Sequence, residues 1–151
     1  MDTLAVVLEQ PEQLSLRQLE LKDATENDLV VEIDWSGIST GTERLLWSGR
    51  MPPFPGMGYP LVPGYESVGR VVDAGDGARS RIGETVFVPG SSGFKDARGL
   101  FGGAARRLVA PSARVVTISS ALGERGVLIA LAATARHAIA GGATPDHLLK
   151  E

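Results

Sequence analysis

Pro60-Leu61-Val62-Pro63-Gly64-Tyr65-Glu66-Ser67-Val68-Gly69-Arg70-Val71-Val72 runs a stiff proline corner straight into an apolar-rich strand. Each proline fixes its own φ and pushes the residue before it towards extended geometry, so the corner's shape is set locally. Gly64 lets the backbone turn or approach a neighbour closely. Gly69, inside a strand pattern, predicts a bulge or a close neighbouring backbone. Tyr65 and Glu66 are thereby held where the chain enters a sheet. Two reactive side chains on a rigid corner are either a site or a buried pair that ties down the end of a barrel. Residue types alone favour the second.

The bulk numbers narrow the classes. With 151 residues, 43% of them hydrophobic, the chain can bury one good core and reads as a single globular domain. A net charge of −3 without a basic block leaves nucleic-acid binding no electrostatic footprint. The absence of cysteine excludes disulfides, thiolate metal sites and a thiol nucleophile, and fits a reducing cytoplasmic setting. Leu4 to Leu8, following Asp2, is too short an apolar run for a signal peptide and reads as a strand. No stretch approaches the roughly 20 apolar residues of a membrane span. Nineteen glycines and nine prolines imply many turns, hence mostly β structure.

In chain order, Gln10-Pro11-Glu12 turns the first strand. Leu14, Leu16, Leu19 and Leu21 form two alternating pairs, which predicts a strand broken by a bulge or bend. Leu29 to Ser36 alternates, putting Val31, Ile33 and Trp35 on one face. Thr40 or Thr42 can cap a short helix that Gly49 ends. Met51 to Pro60 is a proline-stiffened loop displaying Met51, Phe54, Met57 and Tyr59, either as a lid packed down or as an apolar rim for a ligand. Gly75-Asp76-Gly77 is a turn, and Ile82 to Pro89 a turn and strand. Ser91 to Gly103 reads as a flexible polar loop, with short strands at 106–110 and 115–118. Leu128 to Ala140 is a helix stopped by Gly141-Gly142, followed by a linker. Short strands at close spacing suggest a small barrel or sandwich. No Gly-x-Gly-x-x-Gly opens a helix after a strand, so the dinucleotide fingerprint is not in this sequence.

The spacing Pro60-x-x-Pro63-Gly64-x-Glu66-x-x-Gly69-x-Val71 resembles the signature of the medium-chain dehydrogenases/reductases. So do Gly37-Ile38 with Thr40-Gly41-Thr42-Glu43, Gly83-Glu84-x-Val86, Gly102-Gly103-Ala104-Ala105, and Leu131 to Ala135. Together these cover nearly the whole chain in order. The resemblance implies a mainly β, GroES-like, partly open β-barrel with short helices over residues 1–140. Residues 141–151 would be a linker towards a dinucleotide-binding (Rossmann) domain, so the sequence reads as a fragment, expected to be inactive by itself. A narrower similarity rests on Ser36 to Trp47 and Met51 to Glu66. It is to the members of the family that oxidise the 1-hydroxyethyl group at C3 of a bacteriochlorophyllide-type tetrapyrrole to acetyl, with NAD as hydride acceptor.

That resemblance also distributes roles. The family's zinc-ligand positions fall on Thr40 (or Ser39), Tyr65 and Ala130. Catalytic zinc needs three ligands from Cys, His or carboxylate, so a zinc-independent enzyme is implied. Thr42 stands where the family keeps the hydroxyl that bonds the substrate alcohol. Its bland reading is a helix cap. Tyr65 is a candidate acid/base, though its ordinary pKa of about 10 makes it a poor base. Glu66 joins the catalytic candidates, with a structural carboxylate holding neighbouring donors as the blander reading. Thr40, Gly41 and Thr134 are candidates for the nicotinamide side. Trp47, Met51, Phe54, Met57 and Tyr59 are candidates for the pigment, or plugs for the barrel end. His137, late in a helix, suits the C-terminal dipole, and His147 lies in the tail. Other readings are a zinc-free NADPH-dependent quinone or enone reductase domain and a stand-alone GroES-like binding module. The full-length enzyme could form a homo-oligomer.

Overall fold

The computed structural model of the chain describes residues 1–99 and 101–141. The linker residues 142–151, with His147, lie outside the described residues.

Strands β1 (Asp2–Gln10) and β2 (Gln13–Glu20) make an antiparallel hairpin. β3 (Asp28–Ser36), β4 (Ser67–Ala74), β5 (Thr85–Val88), β6 (Arg107–Pro111) and β7 (Val116–Thr117) form a second sheet, in the order β6-β3-β4-β5-β7. The two sheets remain separate and contribute to one core, which fits the expected partly open, mainly β architecture. Helix α1 (Thr42–Trp47) sits between β3 and β4, and α2 (Ile129–Ala140) ends the described chain.

β3 is the hub, because it pairs with β4 on one side and β6 on the other. Leu29, Val30 and Val31 are all buried in succession, so both faces of its first half are covered. The clean alternation expected for its second half fails at Asp34. There the register jumps from Ile33 opposite Gly69 to Trp35 opposite Val68, and Trp35 emerges half exposed. The bulge comes where Gly69 lets β4 run hard against Glu32, both of which the glycine predicted.

The two leucine pairs of β2 were also expected to mark a bulge or bend, and no bulge separates them. Instead the pairing runs unbroken from Asp2 opposite Glu20 to Leu8 opposite Leu14, and the only shift lies beside the turn. Leu14 and Leu16 face outward while Leu19 and Leu21 enter the core. The change of parity is a change of face, with no extra residue.

The hairpin is stitched to the rest by β1. Leu8 and Leu61 exchange backbone hydrogen bonds of 2.8 and 2.9 Å. The Val6 N–H donates to Ala104 O, and the Arg106 N–H to Leu4 O. The described part of 91–103, expected to be a flexible polar loop, instead closes over the core. Ser91 and Phe94 are buried, Ser91 Oγ donates to Val109 O at 2.6 Å, and Phe94 bridges Leu21. The helix expected at 128–140 is present and ends at Gly141. A kinked 3-10 stretch, Ser120–Leu128, leads into it, and none of the residues of α2 is buried.

Candidate active site

The proline corner is fixed from two sides. Gly64 adopts φ +94°, which favours glycine, and its carbonyl accepts the Gly103 N–H at 2.7 Å. Pro63 O accepts the Ala104 N–H, and Ser67 Oγ donates to Gly103 O at 2.8 Å. On the other side the Gly37 N–H donates to Glu66 O at 2.8 Å. Tyr65 and Glu66 therefore sit between two backbone clamps.

The Tyr65 ring tilts against Phe101 with centroids 5.6 Å apart, which aims its hydroxyl at α1. Tyr65 Oη lies 3.3 Å from Thr42 Oγ1, so two hydroxyls from segments 23 residues apart meet. The helix-cap reading of Thr42 and Thr40 is corrected. Gly41 is the N-cap, no side chain caps the helix, and Thr42 is already inside it. Its hydroxyl is free to face Tyr65. Gly49, at φ +67°, follows the helix end as expected.

Glu66 is 5% exposed and its Oε1 has no hydrogen-bond partner. The expectation that it holds neighbouring donors is corrected for that oxygen, because burial has removed water without supplying an N–H or O–H. Sequence reasoning missed Glu43, the second residue of α1. Both of its carboxylate oxygens are shut off from water and unpartnered. Burial pushes its pKa above the ordinary carboxylate range, and the nearby Glu66 charge adds to that. Backbone amides, its own first, partly oppose the rise. Burial raises Glu66 as well. A signal was available, since Thr42-Glu43 and Tyr65-Glu66 repeat one hydroxyl–acid dipeptide.

Beside the corner an apolar trough of about 480 Å³ opens between the hairpin and the end of β3. Leu14, Leu16, Ile38 and Trp47 line its walls, and Gly64 and Glu43 reach it from the site. Of the candidate pigment contacts, Trp47 alone lines this space. Met51, Met57 and Tyr59 turn inward with Phe101 over Leu8, Leu46 and Leu61, and the Tyr59 hydroxyl donates to Leu46 O. Phe54 stacks edge-on against Phe101 at 6.4 Å. The plug reading therefore has packing behind it for four of the five. Met57→Ala should cost about 2 kcal/mol, the low end for a truncated core methionine, while Trp47→Ala, 40% exposed, should cost under about 1 kcal/mol. Chemical denaturation of both variants checks the difference.

Thr40 and Gly41 are exposed, and a Cβ on Gly41 would meet nothing within 4 Å. Thr134 is exposed on α2, its hydroxyl donating to Ala130 O at 3.0 Å. Nothing brings Thr134 to the hydroxyl pair. Tyr65 and Ala130 present a phenol and a methyl group, with no Cys, His or carboxylate at either position.

The alcohol dehydrogenase GroES-like domain matches residues 25–120, which include the whole corner, both hydroxyls and both acids. The chain belongs to that family. Among curated relatives of this GroES-like domain is 2-desacetyl-2-hydroxyethyl bacteriochlorophyllide A dehydrogenase of Cereibacter sphaeroides. It is 57% identical over 146 residues, which is 93% of this chain and 46% of the relative. The chain spans about half the length of the curated relatives it matches. Among solved structures, 2R,3R-butanediol dehydrogenase from Bacillus subtilis superposes with a TM-score of 0.76 at 18% identity, over 94% of this chain and 48% of that one. An Escherichia coli alcohol dehydrogenase complexed with NADH superposes at 0.68 with 24% identity, over 85% and 42%. Both likenesses carry the fold. Among the described residues no helix is long and apolar enough to cross a membrane.

Proposed function

We propose that the GroES-like domain, residues 1–140, is the catalytic domain of a cytoplasmic, NAD-dependent and zinc-independent alcohol dehydrogenase. Its substrate is a bacteriochlorophyllide, whose 3-(1-hydroxyethyl) group it oxidises to acetyl in bacteriochlorophyll biosynthesis. The observation that carries this reading is the 57% identity, across the whole site, to a relative bearing that activity in its name. The apolar trough beside the hydroxyl pair supports it, because a chlorin ring is a large flat apolar body.

The residues at the family's metal positions do not fit zinc, since a phenol, an aliphatic hydroxyl and a methyl group are a poor donor set. No step is routed through a metal. Thr42 and Tyr65 bind the substrate hydroxyl between their own oxygens and orient the carbinol C–H. The pair hands on the hydroxyl proton as the carbonyl forms. Thr40 and the open face of Gly41 would hold the nicotinamide edge. Thr134, whose hydroxyl already donates to Ala130 O, would join as an acceptor. Bound there, the nicotinamide supplies the hydride acceptor. Trp47 and the trough leucines hold the macrocycle and exclude water.

Pigment oxidation by the intact enzyme, followed by the spectral shift from hydroxyethyl to acetyl pigment with NAD and with NADP, tests the reading. NAD-dependent turnover by protein without stoichiometric zinc is expected. Turnover of quinones with NADPH instead, or one bound zinc per chain that activity requires, would overturn it.

A further inference from the structure

The oxidation step leaves two carboxylates unused. Glu43 follows Thr42 on α1 and Glu66 follows Tyr65 on the corner, so the acids flank the hydroxyl pair in both segments. Three of their four oxygens are cut off from water and make no well-formed hydrogen bond, the backbone amides beside Glu43 offsetting its burial only in part. Glu66 is wedged as well, for any side chain on Gly37 would collide with its Oε2. The charged groups around them do not compensate. Arg44 follows Glu43 on α1 and is exposed. Asp34 and Arg106 line the trough with Glu43, and Arg106 is turned to Glu32 at 3.6 Å. A buried carboxylate with no cation and too little hydrogen bonding takes up a proton more readily than an exposed one, and two such groups in one site titrate as a pair.

We propose that Glu43 and Glu66 hold one proton between them at neutral pH and accept the proton released at the Thr42–Tyr65 pair, returning it to solvent through the trough. The second half rests on the dehydrogenase reading. In turnover the substrate O–H bond breaks, its electron pair forms the carbonyl, and the carbinol hydride leaves to the nicotinamide. The proton crosses the two hydroxyls, each giving one up as it gains one. It then fills the vacant carboxylate, so the pair passes from singly to doubly protonated. Glu43, on the trough wall, then loses a proton to water. The two hydroxyls can pass a proton but not keep it, because neither is a base near neutral pH.

The sign of the pH dependence follows. Both acids have pKa values raised by the fold, so the native state binds more protons than the unfolded chain above the ordinary carboxylate range of about 4. Stability therefore falls as pH rises from there through the raised values, and levels off above them.

Isotope-edited infrared spectroscopy of the intact protein reads the proton directly. At pH 7 a protonated glutamic acid band is expected. In Glu66→Gln the band of the remaining acid should vanish at lower pH, and Glu43→Gln should shift it likewise. Both substitutions are isosteric, and either one that folds suffices. No protonated band at pH 7, a midpoint unmoved by either change, or a band abolished by added Mg²⁺ or Zn²⁺ overturns the pair. In kinetics, Glu43→Gln should lower kcat at pH 7 on the order of 10²-fold and remove its acid limb, with Glu43→Asp restoring both in part. An unchanged pH profile refutes proton acceptance. Wild-type protein that shows the band but oxidises no pigment refutes the substrate reading and leaves the pair standing.

Discussion

Thr42→Val lowers kcat of the intact enzyme on the order of 10²-fold or more, while Thr42→Ser keeps most of it; this is the expected result for a positioned proton-transfer group. The structure makes the experiment clean. Had Thr42 capped α1, removing its hydroxyl would have cost about 1 kcal/mol of stability, and lost activity would have been ambiguous. Gly41 occupies the N-cap and no side chain serves it, so valine removes only the oxygen 3.3 Å from Tyr65. Melting temperatures of the three proteins should agree within a few degrees. A valine variant with near-normal kcat assigns the hydroxyl no part in the reaction.

Gly69→Ala is expected to be severely damaging, costing about 3 kcal/mol or more. The added carbon would collide with the Glu32 carbonyl oxygen and lie 2.8 Å from its carbon and 2.9 Å from Ile33 Cα. These are backbone atoms of the central strand, held from its other side by β6. They cannot swing away as a side-chain tip can. Urea titration of the variant against the parent checks the figure, and a loss under about 1 kcal/mol would mean that the sheet yields at this point.

The corner and its strand could be read before any coordinates, because proline and glycine act through their own backbone. Gly69 announced both its bulge and its close neighbour, and Gly49 the end of α1. What depended on the other sheet could not be read. Leu14 and Leu16 alternate as a buried pair would, yet their side of the hairpin borders an open trough. Trp35 follows the parity of Val31 until the bulge at Asp34 turns it out. In the site, Tyr65 and Thr42 were singled out because the family's spacing points at them. Glu43 was passed over, since an acid in the first turn of a helix is ordinarily exposed there. Its burial comes from the corner folding over it, which local sequence does not encode. The Met51–Tyr59 loop was left open between a packed lid and an apolar rim, and three of its apolar residues pack inward.

The stitching of β1 also has a consequence for how the molecule is made. Its hairpin partner is only a few residues away and Leu61 lies mid-chain, but its remaining partners are towards the far end of the domain. The Arg107 N–H donates to Thr3 Oγ1 at 2.8 Å across 104 residues, and Ala104 and Arg106 add two more such ties. On the ribosome β1 can pair with β2 almost at once, yet the core that takes in Ala5, Val7, Leu19 and Leu21 is not complete until Leu108 and Val109 of β6 emerge. At about 5–20 residues per second that wait lasts on the order of 5–20 s. For that interval the nascent chain carries a sticky two-stranded ribbon, so synthesis rate and chaperone access, more than final stability, set how much of it reaches the native state.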